Sequence, residues 1–258
     1  MYVVFFSFFF CICCFFFLDK CYGLAFNIPR YASHTHQKNS LELYGRALIR
    51  SSKRISNPGC YATSSQLLIA PLVNHIKSGM LPTVFGISGY SGAGTILSKD
   101  ASGKAVSLPK ISGESLEGGV KPYSLTSHIH EREAGYHLSR LLTGESSPGV
   151  KVAFIPSVAP WFSGIISTVS IPLSDKLTAK DVVRMFEEKY ADEKLVTIRK
   201  EVPELKDVKD KHGWVVGGFQ TSAEGDRVVI VVCYSFMVVM MVGGAQCYGG
   251  NRAGLIIC

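Results

Sequence analysis

The chain has 258 residues, of which 47% are hydrophobic and 18% charged, and its formal net charge is +7. This composition is typical of a globular protein with a sizeable core and excludes a disordered chain. Basic residues are interspersed with acidic ones, as in EVPELKDVKDKHG, so we exclude a nucleic-acid-binding surface.

The two ends differ from the middle. Residues 1–22 are rich in Phe and Cys and carry no charge before Asp19. The stretch is slightly short for a transmembrane helix, which needs roughly 20 apolar residues, and it lacks the basic leader of a signal peptide. We keep three interpretations: a secretory segment, a membrane anchor, and translated non-coding sequence. Residues 233–258 form a second divergent apolar segment.

The segment SNPGCYATSSQLLIAPL, residues 56–72, predicts a turn followed by a helix. Cys60 falls just before or within the first helical turn, where the positive end of the helix dipole favours a thiolate. Thr63, Ser64 and Ser65 offer hydroxyl groups suited to that turn. A buried structural cysteine is the alternative, and the setting favours a nucleophile.

A glycine-rich loop, FGISGYSGAGT, occupies residues 85–95. It is a poor dinucleotide fingerprint, because the residues that follow do not form an amphipathic helix whose N-terminus could meet a pyrophosphate. The loop can still approach a ligand through its backbone, and an ordinary turn is the alternative.

Two histidines, His128 and His130, lie two residues apart in SLTSHIHEREAGYHL, and Glu133 follows. If the segment is a strand, both imidazoles point to one face. The pair suits proton transfer beside a cysteine nucleophile. A chance surface pair is the alternative, and we predict no metal site because no third ligand stands out.

The remaining segments alternate between strands and helices. TVFGISGY, ISTVSIPL and KLVTIRKEV predict strands, and GWVVGGFQTSAEGDRVVIVV predicts a hairpin that turns at residues 223–226. TAKDVVRMFEEKYADE predicts a helix with Thr178 as N-cap, Asp181 at the capping-box distance, and an apolar face. The fold class is therefore an α/β or α+β domain.

Five motifs resemble, in order, those of the N-acetyl-gamma-glutamyl-phosphate reductases of the semialdehyde dehydrogenase group, in particular the fungal, mitochondrial type. They are SNPGCYATSSQLLIAPL, GISGYSGAGT, PYSLTSHIHEREAGYHL, FIPSVAPWFSGIISTVSIPL and KDVKDKHGWVVGGFQ. The resemblance implies the α+β catalytic and dimerisation half: a mixed, largely antiparallel sheet with helices on one face. It covers residues 55–232, with 23–54 as a remnant of a linking segment and the N-terminal Rossmann domain largely missing.

The resemblance also implies a reaction and a set of site residues. An acyl phosphate, N-acetyl-L-glutamyl 5-phosphate, is reduced to the 5-semialdehyde with NADP(H), in arginine biosynthesis, through a thioester on Cys60. His130 is favoured over His128 as the acid–base residue. The other expected contacts are Asn57, Ser88 and Glu133 for the substrate, and Gly89, Ser91 and Gly92 for the cofactor.

The resemblance further implies a mitochondrial homo-oligomer, dimeric or tetrameric, that associates with acetylglutamate kinase. Without the cofactor domain the chain is expected to be impaired when alone. Two alternatives stay open: a non-catalytic remnant that oligomerises with full-length subunits, and a Cys/His acyl-transfer protein that uses no nicotinamide.

Overall fold

A computed structural model describes residues 59–93, 95–99, 101–142 and 149–235 and, through the backbone alone, 37–38, 55–57 and 255–257. Segment 1–22, nearly all of 23–54 and most of 233–258 lie outside the described residues, so the interpretations of those segments stay predictions. Among the described residues, no helix has the length and apolar character that crossing a membrane requires.

The described residues form four helices and twelve strands. The helices are α1 (Cys60–Ile69), α2 (Ile129–Ser139), α3 (Ala179–Tyr190) and α4 (Leu205–Val208). The first six strands are β1 (Gln37–Lys38), β2 (Ile55–Asn57), β3 (Thr83–Gly89), β4 (Thr95–Lys99), β5 (Ala105–Pro109) and β6 (Lys121–Pro122). The others are β7 (Ala153–Ala159), β8 (Ile165–Pro172), β9 (Val196–Ile198), β10 (Trp214–Thr221), β11 (Arg227–Tyr234) and β12 (Leu255–Ile257).

The main sheet has 7 strands in the order β6-β7-β3-β8-β11-β10-β9. The β3/β7 and β9/β10 pairs are parallel, and the other four neighbouring pairs are antiparallel. Strands β4 and β5 form a separate antiparallel hairpin, and the short β1, β2 and β12 pair in parallel. The predicted mixed, largely antiparallel sheet is therefore confirmed.

The two faces of the sheet differ in how they are covered. In β8 every second residue from Ile165 is buried and the residues between are half-buried, which is the period of a strand packed on one side. Helices α1, α2 and α3 cover the buried face. On the opposite face the short α4 and the loop before it lie over β10 and β11, where the Cys233 thiol donates to the Pro203 carbonyl at 3.4 Å. The predicted helices on one face are thus confirmed for the three longer helices.

Helix α3 and the hairpin form where the sequence predicts them. Thr178 caps α3, and Asp181 completes the capping box by accepting from the Thr178 backbone N–H at 3.0 Å. Val182, Phe186 and Tyr190 are buried along one face of the helix. Strands β10 and β11 pair in antiparallel register across the predicted turn.

Helix α1 ends at Ile69, two residues before a proline, and α3 supplies a donor that the proline lacks. Beyond Ile69 the chain continues as a 3-10 turn, Ala70–His75, which contains Pro71. Because Pro71 has no N–H, it cannot donate to the Leu67 carbonyl four residues earlier. The Tyr190 hydroxyl donates to that carbonyl instead, at 2.7 Å. This bond ties α1 to α3 in the core.

Candidate active site

Cys60 is the first residue of α1, and the helix has no side-chain cap. The N-cap is Gly59, in extended conformation with φ −62° and ψ 155°. The Cys60 thiol is half-buried, at the end of the helix where the dipole is positive. The structure thus confirms the predicted placement of Cys60 in the first turn.

The hydroxyl groups after Cys60 do not cap the helix, which corrects the prediction for Thr63, Ser64 and Ser65. Each donates backwards to a carbonyl: Thr63 to Gly59 at 2.9 Å, and Ser64 and Ser65 to Tyr61 at 3.0 and 2.8 Å. This back-bonding satisfies polar groups that are almost completely buried. The polar residues Thr63 to Ser65 are therefore part of a helix that is buried.

The histidine pair lies at a helix start, so the strand geometry considered for it does not apply. His128 is the N-cap of α2, and its Nδ1 accepts from the His130 backbone N–H at 3.2 Å. His130 lies in the first turn, within hydrogen-bonding reach of the Cys60 thiol. The two imidazole rings still lie side by side, with centroids 4.8 Å apart.

The two imidazoles have opposite pKa shifts. Burial acts to lower the pKa of His130, but hydrogen bonds to Cys60 and Glu133 and their charges outweigh it and raise this pKa to about 9. Burial, with the neighbouring His130, lowers the pKa of His128 to about 4 despite the Glu133 charge. At neutral pH His130 is therefore the protonated partner of Cys60, and His128 is neutral.

Glu133 links the histidine to the backbone directly before the cysteine. One carboxylate oxygen lies 3.2 Å from His130 Nδ1, and the other accepts from the Gly59 backbone N–H at 3.3 Å. Its side chain is only 12% exposed. Glu133 therefore orients both members of the Cys60–His130 pair, while its expected contact with substrate stays a prediction.

Gly59 is required by the close approach of the histidine. A Cβ atom at position 59 would overlap Cε1 of the His130 ring. The imidazole thus lies directly against the backbone that precedes Cys60. Any larger residue would displace it.

The two other residues predicted to contact the substrate, Ser88 and Asn57, lie on different strands. Ser88 is buried on the helix-facing side of β3, within hydrogen-bonding reach of the Tyr61 hydroxyl. Asn57 ends β2 and is described through its backbone alone. The roles of these residues in substrate binding stay predictions.

The glycine loop after β3 bonds to the β7–β8 connection. Gly89 and Ser91 donate their backbone N–H groups to the carbonyls of Gly164 and Phe162, at 2.9 and 3.0 Å. A Cβ on Gly89 would lie 2.6 Å from the Phe162 carbonyl oxygen. These two N–H groups are therefore unavailable to a pyrophosphate. The Ser91 hydroxyl and Gly92 remain for the predicted cofactor contact.

Several aromatic residues around the site were not predicted from the sequence. The Tyr234 hydroxyl donates to the Cys60 carbonyl at 3.0 Å. Burial raises the pKa of Tyr61, Tyr123 and Tyr234, and the charge of Cys60 raises all three further. Phe154 packs against Tyr61, with ring centroids 4.7 Å apart. Only the position of Tyr61, directly after the cysteine, could have indicated one of them.

The part of the chain that the structure describes contains no set of side chains assembled as metal ligands. Within those ranges, no group of three or more His, Cys, Asp or Glu side chains comes together in a way that could hold an ion. The polar groups of this site are instead a thiol, two imidazoles and a carboxylate.

Comparison with known proteins finds one family. Residues 60–234 match the model for "Semialdehyde dehydrogenase, dimerisation domain". The chain is 46% identical over 189 residues to "Protein arg-6, mitochondrial" of Neurospora crassa, covering 73% of this chain and 19% of the relative. It is 42% identical over 187 residues to N-acetyl-gamma-glutamyl-phosphate reductase of Xanthomonas euvesicatoria pv. vesicatoria, covering 72% and 52%.

The chain thus spans about half the length of the bacterial relative and about a fifth of the fungal one. Among solved structures, aspartate semialdehyde dehydrogenase II from Vibrio cholerae aligns with a TM-score of 0.59 at 14% identity. That alignment covers 83% of this chain and 69% of the other. At that identity the likeness shows the fold.

Proposed function

Because the chain belongs to the semialdehyde dehydrogenase family, we propose that it is the catalytic and dimerisation half of an N-acetyl-gamma-glutamyl-phosphate reductase. The substrate is N-acetyl-L-glutamyl 5-phosphate and the product its 5-semialdehyde. Residues 55–232 form this half. The observation that carries the proposal is the Cys60–His130–Glu133 arrangement at the start of α1.

Cys60 performs the covalent step. With the thiol proton held on His130, the thiolate attacks the acyl carbon, an S–C bond forms, and the C–O bond to phosphate breaks. His130 gives its proton to the departing phosphate oxygen. Glu133 keeps the imidazole facing the sulfur, and the product of this step is a thioester on Cys60.

NADPH, when bound, supplies the hydride that reduces the acyl carbon of the thioester. Cleavage of the S–C bond then releases the aldehyde and returns the Cys60 thiolate. The N–H groups of Gly89 and Ser91 are engaged within the chain and do not form a phosphate cradle. We therefore assign to the described residues the acyl chemistry, and to Ser91 and Gly92 at most a contact with the cofactor.

A single-turnover experiment on the full chain tests the acyl step. The purified protein is mixed with N-acetyl-L-glutamyl 5-phosphate, phosphate release is measured, and acylated peptides are identified by mass spectrometry. We expect one acyl group on Cys60, none in Cys60→Ser, and an unchanged result in Cys233→Ala. Cys233 is the matched control, because burial raises its thiol pKa to about 12. Absence of acyl-Cys60 in the folded protein contradicts the proposal.

Adding NADPH to the acylated protein separates the remaining alternatives. Loss of the acyl group with formation of aldehyde supports the reductase. An acyl group that moves to water or another thiol, with no oxidation of NADPH, supports the Cys/His acyl-transfer alternative. The Glu133-supported Cys60–His130 pair is the observation that keeps this second candidate open, since hydrolases use the same arrangement.

We also propose that the chain pairs with a second copy through the sheet face opposite α1, here called the open sheet face. It presents Phe85, Ile87, Ile155 and Ile166, and Phe85 is 48% exposed although it lies mid-strand in β3. Ile87, Ile155 and Ile166 are half-buried beside the exposed Phe85, and a contiguous, partly exposed apolar surface of this kind marks an association site. The matched dimerisation domain supports this assignment.

The oligomeric state tests this surface. Phe85→Glu places a charge in the centre of the open sheet face, and we expect it to shift the protein to monomers in light-scattering measurements. Lys180→Glu, an exposed charge change on α3, which covers the opposite face of the sheet, serves as control. A dimer that tolerates Phe85→Glu without dissociation at low concentration contradicts the assignment. From the fungal relative's name we propose a mitochondrial location; association with acetylglutamate kinase stays a prediction.

A further inference from the structure

The first turn of α2 contains a second glutamate whose contact lies outside the acyl chemistry. Glu131 is half-buried, and its carboxylate accepts from the Phe154 backbone N–H at 3.0 Å. Glu133, two residues later, instead contacts His130 and Gly59. The first turn of α2 is thus fixed to strand β7 by one carboxylate and to the Gly59 backbone, directly before Cys60, by the other.

Strand β7 leaves a backbone donor for Glu131 because its outer neighbour is short. On the side away from β3, β7 pairs with β6 only at Ser157 and Val158. Along that side Pro156 has no N–H, and its carbonyl accepts from Tyr123 at 3.1 Å. The Phe154 N–H therefore has no strand partner, and the Glu131 carboxylate takes that place.

The side chain of Phe154, the residue whose backbone Glu131 binds, packs against the residues of the site. Its ring is 1% exposed and lies 5.0 Å from the His128 ring and 6.1 Å from the His130 ring, measured between centroids. It also contacts Tyr61, the residue after the nucleophile. Because the core is close-packed, a shift of α2 along β7 would move both imidazoles against Phe154.

We propose that Glu131 is a positioning residue, whose carboxylate holds the first turn of α2 in register with β7 and thereby sets the placement of His130 against Cys60. This inference rests on the proposed function only through the Cys60–His130 pair. It needs neither the acyl phosphate nor the nucleotide. An oxygen acceptor at this position is sufficient, so glutamine replaces glutamate and alanine does not.

Alkylation of Cys60 by iodoacetamide, followed by mass spectrometry as a function of pH in the full chain, tests the proposal. We expect Glu131→Ala to lower the alkylation rate at pH 7 on the order of tenfold, since misplacement of a catalytic group carries costs of this size or larger. Glu131→Gln should stay within about twofold of the wild type, because its amide oxygen accepts the same bond.

Two controls keep the test decisive. Glu187→Ala removes an exposed carboxylate from α3 and should leave the profile unchanged. If Glu131→Ala does not fold, as judged by circular dichroism, Glu131→Asp replaces it, because its carboxylate is one methylene too short to reach Phe154. Wild-type alkylation rates in folded Glu131→Ala or Glu131→Asp overturn the proposal. It is also overturned if Cys60 is alkylated as slowly in Glu131→Gln as in Glu131→Ala.

His130→Ala separates this inference from the proposed function. If Cys60 is alkylated slowly in His130→Ala but at the wild-type rate in Glu131→Ala, the Cys60–His130 pair is supported and the positioning role of Glu131 is wrong. If His130→Ala leaves the reactivity of Cys60 unchanged, the pair itself fails, and both the mechanism and the positioning role are overturned.

Discussion

Helices α1 and α3 begin in opposite ways, although each forms where its sequence predicts a helix start. Helix α3 begins with a complete capping box, in which the Thr178 side chain and the Asp181 carboxylate satisfy each other's backbone donors. Helix α1 begins with Gly59, has no side-chain cap, and has no acidic residue in its first turn. The first arrangement is at the surface, and the second is packed against an imidazole.

The comparison shows that a capped helix start favours stability, whereas an uncapped one favours the reactivity of a group placed there. A cap satisfies first-turn N–H groups and lowers the free energy of the folded state. An uncapped start leaves the positive end of the helix directed at whatever group lies there, and at α1 that group is the Cys60 thiol. The stability that α1 lacks at its start comes from burial and from the Tyr190 bond to its last turn.

The largest expected effect is at the uncapped start. Cys60→Ser should abolish turnover in any active preparation, because a hydroxyl group in this place is far less nucleophilic than a thiolate. The free energy of unfolding should change little, since serine is nearly isosteric. Acyl transfer and chemical denaturation, measured on the same sample, check both statements. Undiminished turnover in Cys60→Ser would contradict the mechanism.

Gly59→Ala should be the next largest change. Its Cβ overlaps the His130 ring, so the imidazole must move, and we expect a loss of about 100-fold in thioester formation. Overpacking should also cost about 1–3 kcal/mol in the free energy of unfolding. The matched control is Gly79→Ala, where a Cβ meets no atom within 4 Å and only the positive φ of 77° is strained. Equal losses of activity in both variants would contradict the role of Gly59.

At the capped start the expected change is confined to stability. Thr178→Ala removes the cap of α3 and should lower the free energy of unfolding by about 1 kcal/mol. Acylation of Cys60 should stay unchanged. Urea denaturation and the single-turnover assay together check this prediction. A loss of acylation in Thr178→Ala would show that the two helix starts are not independent.

The smallest expected effect concerns the third start, that of α2. The pKa of His128 is about 4 in the folded protein, against 6.5 for an ordinary histidine, so the unfolded chain takes up a proton first as the pH falls. The contribution of His128 to stability is complete above pH 6.5 and is lost between about 6.5 and 4. His128→Asn keeps an N-cap acceptor and removes this titration.

The free energy of unfolding of His128→Asn should therefore fall less steeply than that of the wild type between these pH values. The exposed His212→Asn is the control and should follow the wild-type slope. Identical slopes in all three proteins would contradict the lowered pKa of His128.

Local sequence signals predicted much of this fold. The helix start at Cys60, the capping box at Thr178 and the alternation of the strands each depend on neighbouring residues. The two-residue spacing of His128 and His130 would fit one face of a strand, but the segment is a helix start. The same spacing also places one histidine as N-cap and the other in the first turn, which a pattern of period two cannot distinguish.

The contacts between distant segments could not be predicted. Glu133 reaches Gly59, which is 74 residues away, and the Tyr190 hydroxyl reaches the Leu67 carbonyl over 123 residues. Such pairs depend on how the helices pack onto the sheet. The resemblance to a family indicated Cys60 and His130 as candidate site residues, but it contained no information about Glu131, whose contact follows from the short β6.

The burial of α1 on all sides has a consequence for how the protein is inactivated by heat. From Tyr61 to Ile69 every residue of the helix is buried, so no part of it can loosen while the surrounding core stays intact. The Cys60 thiol is therefore attached to a fully buried helix rather than to an exposed loop. Heat should not inactivate such a site gradually; the reactivity of the thiol and the tertiary structure should be lost together, in one transition.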